Sequence, residues 1–148
     1  MKFVVILLIL LVPICAFARI GETAEECVTR YGKAIDKVDN RMFFAKGGFV
    51  IAATFYQGVV DSIAYFKEGK RAEISDNEIE VLLKSNGGDE KWEKLKIISV
   101  DKQWETEDGA IMACYKTFDN MLLIATKERL ERMIAEKKAE EKERLEEF

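Results

Sequence analysis

Residues 41–67 constrain the fold most strongly, because they contain three consecutive strand patterns separated by glycine turns. Arg41–Lys46 is rich in aromatic residues, and Gly47-Gly48 can supply the positive φ angles of a tight hairpin. In Phe49–Tyr56 both alternating sets of side chains are apolar, which predicts a strand covered on both faces or central in its sheet. After a second glycine turn, Val59–Lys67 returns. The segment predicts an antiparallel meander.

Two capping boxes mark the starts of short helices. Thr23 is followed three residues later by Glu26, and Ser75 is followed by Glu78 at the same spacing. Apolar residues recur at helical spacing after each box, and glycines follow both stripes as stop signals. The sequence therefore predicts one helix before the meander and one after it.

The second half repeats this order less clearly. Strands are predicted from Ala110 to Lys116 and from Met121 to Thr126, whereas residues 92–100 fit either a strand or a helix. The two halves echo each other only weakly, and a common α+β arrangement explains the echo more readily than a duplication, which stays open. The predicted fold class is α+β: an antiparallel sheet of meander hairpins packed with short helices, plus a charged C-terminal helix.

The C-terminal helix is predicted over residues 127–148. Leu130, Met133 and Ile134 form an apolar stripe on its first turns, but beyond Ala139 nearly every residue is charged. We expect the helix to dock as far as about residue 139 and then to project. Such projecting helices are more often solvated faces than partner-binding elements.

The chain begins with the pattern of a secretory signal peptide. Lys2 precedes a nearly unbroken apolar run from Phe3 to Ile14, and Ala16-Phe17-Ala18 supplies the small residues of a cleavage site. The run is shorter than the ~20 residues of a membrane span, so cleavage after Ala18 is favoured over an uncleaved anchor. A lipoprotein attached through Cys15 is a third, weaker alternative. We expect residues 1–18 to be a signal peptide and residues 19–126 a single α+β domain in the periplasm or outside the cell.

Charge and cysteine content narrow the classes of partner. Without Lys2, the 23 basic side chains become 22 against 27 acidic ones, a net charge of −5. This argues against nucleic acid or an anionic membrane surface as the main partner, because both require a basic face. Cys27 and Cys114 remain after cleavage. They can form a disulfide in an exported compartment or remain buried thiols, and we expect them to lie close together in either case.

Few routes to catalysis remain. The chain contains no histidine, which removes the commonest general base and the histidine-based triads and metal sites. No zinc, thioredoxin-type, phosphate-loop or calcium-loop motif is present, so no cofactor and no metal is predicted. Asp61 is the one acid whose pKa burial in an apolar strand would raise, although an acid facing solvent at a strand edge is the more common arrangement.

Aromatic residues outside the helices offer a candidate partner surface, since such residues dominate protein interfaces. The alternative is that they belong to the core or its edge. The candidate surface consists of Tyr56, Tyr65, Trp104 and Tyr115.

Residues 21–32, with Gly21-Glu22-Thr23, Glu26, Cys27 and Arg30-Tyr31-Gly32, resemble the start of a set of uncharacterised exported bacterial proteins with the pattern G-E-T-x-x-[EQ]-C-x-x-R-Y-G. The resemblance implies a bacterial source and export, but it suggests no particular activity. In architecture, a capped helix followed by a meander resembles the small lipoprotein of the outer-membrane assembly machinery, and its tandem version resembles β-lactamase inhibitor protein. Both are binding proteins, which implies a binding role.

These observations predict an exported, non-catalytic domain that binds a protein or a cell-envelope component. The alternative is a histidine-free hydrolase that uses paired carboxylates.

Overall fold

The computed structural model describes residues 20–69 and 72–146, so the predicted signal peptide lies outside the described residues. The described elements are three helices and eight strands. The helices are α1 (Ala24–Tyr31), α2 (Asp76–Gly87) and α3 (Lys127–Leu145). The strands are β1 (Asp36–Val38), β2 (Arg41–Lys46), β3 (Phe49–Tyr56), β4 (Val59–Lys67), β5 (Trp92–Lys94), β6 (Lys102–Thr106), β7 (Ile111–Lys116) and β8 (Met121–Thr126).

The strands form one antiparallel sheet in the order β1-β2-β3-β4-β8-β7-β6-β5. The predicted α+β class with an antiparallel meander is therefore confirmed. Each half of the chain is a capped helix followed by a four-stranded meander. The halves meet where β4 pairs with β8, so the strand order reads the same from both edges. The weak echo in the sequence thus corresponds to an approximate two-fold arrangement of the elements.

Local signals place the helices and turns where the sequence predicts them. In both capping boxes the hydroxyl accepts from the backbone N–H of the glutamate, and the glutamate carboxylate accepts from the backbone N–H of the capping residue. Gly47 and Gly48 turn β2 into β3 with φ angles of 61° and 79°, which few other residues adopt.

The hydrophobic core lies on the inner face of the sheet, which we define as the face covered by α1 and α2. Tyr31 of α1 packs its ring against Phe44 at a centroid distance of 5.2 Å. The fully buried Asn86 of α2 donates to the hydroxyl of Tyr65 at 3.0 Å, and that hydroxyl lies 3.4 Å from the hydroxyl of Tyr31. The two helices and β4 are therefore linked by polar contacts inside the core.

Residues 92–100, which the sequence leaves ambiguous, contain only the short edge strand β5. Trp92 packs against α2 and donates from its indole N–H to the carbonyl of Leu83 at 2.8 Å. Residues 95–101 form no regular element. Tertiary packing of Trp92 thus fixes the start of the segment, and the chain beyond it is a loop.

Helix α3 lies against the opposite side of the sheet, which we call the outer face. It has no buried residue within its described length. Leu130 is half-buried, whereas Met133 and Ile134 are 37% and 56% exposed. Side chains from residue 135 to residue 146 are exposed. The boundary near Ala139 stays a prediction, and only the first turns of α3 provide contacts that bear on the site below.

Candidate functional site: a groove on the outer sheet face

The strand register arranges the outer face in three rows across β2, β3, β4 and β8. The first row is polar and contains Arg41, Thr54 and Ser62. The second row is apolar and contains Phe43, Ala52, Ala64 and Leu123. The third row includes Phe66 and Met121. Because alanines occupy the middle of the second row between larger side chains, the face is concave there.

Helix α3 borders this concavity and makes it a groove of about 230 Å³. Ala52 and Ala64 form its floor, and Met133 lines it from the helix. The full lining is Arg41, Phe43, Ala52, Thr54, Ser62, Ala64, Phe66, Met121, Leu123, Arg129 and Met133. We call this feature the outer groove. It is apolar along most of its length and carries polar groups at one end.

Two arginines and two hydroxyls define the polar end. Thr54 and Ser62 are buried, and Arg41 is exposed at the sheet surface. Arg129 reaches the groove from the first turn of α3, and its Nε is buried without a hydrogen-bond partner among the described residues. Among the described residues, Arg129 is ion-paired with Glu136, whose Oε1 lies 3.8 Å from Nη1, beyond hydrogen-bond distance. Arg129 therefore has a free, dehydrated donor beside the groove.

Asp61 lies next to this polar end and is buried, with 6% of its surface exposed. The register shifts between Thr54 and Phe55, so Asp61 is the extra residue of a β-bulge and reaches toward α3. Its Oδ2 accepts a hydrogen bond from Arg132, whose guanidinium stacks on the ring of Tyr56 at 3.9 Å. Its Oδ1 has no partner among the described residues. The expectation that Asp61 faces solvent is therefore wrong, because Asp61 is a buried, ion-paired carboxylate.

The predicted aromatic partner surface does not exist as one surface. Tyr65 and Tyr115 are buried on the inner face, with 0% and 5% exposure, and Trp104 is half-buried against the same core. Tyr56 alone of the four is exposed, and it supports Arg132 beside the outer groove. The prediction is wrong for Tyr65, Trp104 and Tyr115 because their strand positions point to the face that the short helices cover.

The two cysteines are free thiols on opposite sides of the sheet. Cys27 lies on the buried face of α1 in the inner core, whereas Cys114 pairs with Leu123 on the outer face. The expected proximity, and with it the disulfide alternative, is wrong, because Ala113 and Tyr115 on either side of Cys114 face inward. Burial, with the Glu22 carboxylate adding to it, raises the pKa of Cys27 to about 11. Burial also raises the pKa of Cys114, so neither thiol is an activated nucleophile near neutral pH.

The motif at residues 21–32 has a structural explanation at each position that the pattern fixes. Gly21 and Gly32 adopt φ angles of 89° and 91° at the two ends of α1. Glu22 is buried and accepts from Arg30 Nε at 2.7 Å, while Thr23 and Glu26 form the cap. Cys27 and Tyr31 are the buried face of the helix. The motif therefore secures α1 to the sheet.

A second exposed apolar region lies at the β7–β8 turn and the loop of residues 95–101. Ile98 is fully exposed and Phe118 is 87% exposed. The backbone N–H of Thr117 donates to Asp101 Oδ1 at 3.0 Å, and its hydroxyl donates to the carbonyl of Val100 at 2.8 Å. These bonds hold the two loops together.

The outer groove is a candidate site that the sequence alone does not predict. The sequence feature that relates to the groove is the presence of two small residues, Ala52 and Ala64, in strands that are otherwise rich in larger apolar side chains. The strands pair these alanines directly, and that pairing is not visible in a single sequence.

Metal and membrane sites gain no support. Within the described part of the chain, no three His, Cys, Asp or Glu side chains come together as metal ligands do. No helix there combines the length and apolar character that crossing a membrane requires. Compared with known proteins, the chain matches no family model, no curated protein and no solved structure.

Proposed function

We propose that this protein is an exported, non-catalytic binding domain that takes up an apolar part of a protein or cell-envelope component in the outer groove. The observation that carries the proposal is the concave apolar surface over Ala52 and Ala64, which α3 borders and leaves open. Concave, mostly apolar surfaces with a few polar groups at one end are typical of ligand sites.

The chemistry of the surrounding groups favours binding over catalysis. A carboxylate hydrolase needs one carboxyl group as acid and a second as base or nucleophile. Asp61 instead pairs with the guanidinium of Arg132, a cation and not a second carboxyl group. The pKa values of the two thiols are raised, because burial outweighs the effect of the nearby cations Arg30 and Lys116.

A thermal-shift screen against fractions of the bacterial envelope tests the binding proposal. We expect at least one fraction to stabilise the protein, since a ligand that binds only the folded state raises its melting temperature. Ala64→Leu fills the floor of the groove and should abolish the shift. Ala45→Leu adds the same side chain to an exposed position of β2 outside the groove and should preserve it.

A glycan-hydrolysis panel, run with the same protein and with Asp61→Asn, tests the hydrolase alternative. Turnover that Asp61→Asn abolishes would establish the alternative and overturn the non-catalytic assignment. A stabilising fraction that acts equally on the Ala64→Leu protein would place binding elsewhere on the molecule.

A further inference from the structure

We propose that the outer groove binds a single fatty-acid chain, with the acyl tail over Ala52 and Ala64 and the carboxylate held by Arg41 and Arg129. This inference rests on the proposed function and names its ligand. It follows from the lining of the groove, from the pairing of the strands beneath it and from the charges at its polar end.

The strands beneath the groove favour an acyl chain over a peptide. β3, β4 and β8 are each paired on both sides, so their backbone donors and acceptors are already used. An extended peptide lying on the methyl groups of Ala52 and Ala64 would lose water from its own amides and gain no backbone partner, which costs free energy. Peptides that bind to sheets normally add to an open edge. An acyl chain carries no such groups.

The dimensions fit one chain. From Ser62 at the polar end to Phe66 at the far end, β4 advances four residues, or ~14 Å at about 3.4 Å per residue. Phe43 stands on one side of the alanine floor and Leu123 on the other, with Met133 lining the groove from the helix. A volume of about 230 Å³ along this length suits one narrow chain.

The charges at the polar end fit a carboxylate head group. Three arginines, Arg41, Arg129 and Arg132, face two acids, Asp61 and Glu136, and Arg132 is already committed to Asp61. One net positive charge remains, which a monoanionic carboxylate neutralises. A phosphate monoester carries about −1.5 to −2 at pH 7 and would exceed it. The unpartnered Nε of Arg129 and the hydroxyls of Thr54 and Ser62 provide donors for carboxylate oxygens.

The test is a titration with four dodecyl probes that share one chain and differ in head group: laurate, dodecyl phosphate, dodecyl maltoside and dodecyltrimethylammonium, each below its micelle-forming concentration. Methionine-methyl NMR provides the readout, because beyond the leader the chain has only four methionines. Met121 and Met133 line the groove and should shift on binding. Met42 packs against the inner core and provides an internal control.

We expect laurate to bind saturably and the other three probes to bind about tenfold more weakly or not at all, the cationic probe least. Arg129→Gln and Arg41→Gln should each weaken laurate binding about tenfold, the effect of a lost charge-assisted hydrogen bond, and leave maltoside binding unchanged. Ala64→Leu should abolish binding of every probe, and Ala45→Leu should leave it intact. The methionine spectra of the free variants show whether each one is folded.

Equal binding of the cationic probe, tighter binding of the phosphate than of the carboxylate, or laurate shifts that Ala64→Leu does not remove would each overturn the inference. If laurate does not bind but an envelope fraction still stabilises the protein in a manner that Ala64→Leu abolishes, the binding function stands and the fatty-acid assignment fails. If neither laurate nor any fraction depends on Ala64, both proposals fail.

Discussion

The ion pair of Asp61 and Arg132, on the outer face beside the groove, stabilises the folded state. The carboxylate side chain is 9% exposed and the guanidinium 30%. Replacing Arg132 by methionine would leave a buried carboxylate without its cation, and we expect a loss of about 1–3 kcal/mol in the free energy of unfolding. Denaturant unfolding measures this loss.

The double variant Asp61→Asn, Arg132→Met should recover part of it, because the uncompensated charge is then removed. Arg144→Met is the matched control, since Arg144 is exposed on the same helix. A loss of the same size in the control would mean that the effect belongs to the helix and not to the ion pair.

Glu78 makes the free energy of unfolding depend on pH in the acid range. Its hydrogen bonds from Lys67 and from the backbone of Ser75 lower its pKa from 4.5 to about 2. The folded state therefore binds this proton less readily than the unfolded state, so the contribution of Glu78 is complete above about pH 4.5 and is lost as pH falls toward about 2. Glu78→Gln keeps a capping side chain but removes the charge.

We expect Glu78→Gln to lower the free energy of unfolding at neutral pH. The melting temperature of this variant should depend less on pH between about pH 4.5 and about pH 2. Glu80→Gln, an exposed neighbour on α2, is the control and should retain the slope of the unsubstituted protein. Parallel acid profiles for all three proteins would contradict the assignment.

At the scale of elements, helix α3 divides into a contacting start and a solvated remainder. Removing Glu140–Phe148 deletes only side chains that are exposed or outside the described residues, and the helical charge pairs there contribute a few tenths of a kcal/mol each. We expect the melting temperature to change by less than about 2–4 °C, the shift that 1 kcal/mol produces in a chain of this size.

Truncation before Lys127 should have a much larger effect. It removes Leu130 and Met133 from the outer face and leaves Asp61 without Arg132, at a cost of about 2–4 kcal/mol. Thermal unfolding of the two truncated proteins measures the contrast. A large loss on removing Glu140–Phe148 would require docking contacts in the distal half of α3.

The elements also show what a single sequence predicts and where it stops. Capping boxes and glycine turns are local, so α1, α2 and the β2–β4 meander follow from the residues themselves. The face that a strand residue occupies is not determined locally when both alternating sets of side chains are apolar, and this is why the predictions for Tyr65 and Cys114 are wrong. The bulge at Asp61 also breaks the alternation of faces along β4. Val60 and Ile63 are both buried in the core although residues three apart in a regular strand point to opposite faces. The groove needs the pairing of β3 with β4 and the position of α3, which are tertiary facts.

For the whole molecule, export is a proposal that a mass measurement tests directly. Cleavage after Ala18 follows from the apolar run and its Ala-Phe-Ala end, both of which lie outside the described residues. Intact-mass spectrometry of protein recovered from the periplasm or medium should give a chain that starts at Arg19. A membrane-bound protein that retains Met1 would favour the uncleaved anchor instead.

We expect the two similar halves to unfold as one unit, because the contacts between them lie in the centre of the sheet and in the core. The halves meet where Ser62–Phe66 of β4 pairs with Met121–Ala125 of β8. Asn86 of the second half also donates a hydrogen bond to Tyr65 of the first half inside a common core. Native-state hydrogen exchange should therefore find the slowest amides in β4 and β8, with one common opening free energy, and the fastest in the edge strands β1 and β5. Asn86→Ala should lower that common free energy by about 1–3 kcal/mol, because it removes the buried hydrogen bond from Asn86 to Tyr65 that links the two halves. Separate opening free energies for β1–β4 and β5–β8 would mean that each meander is a cooperative unit of its own, and the central strand pair would then be an interface between two small domains.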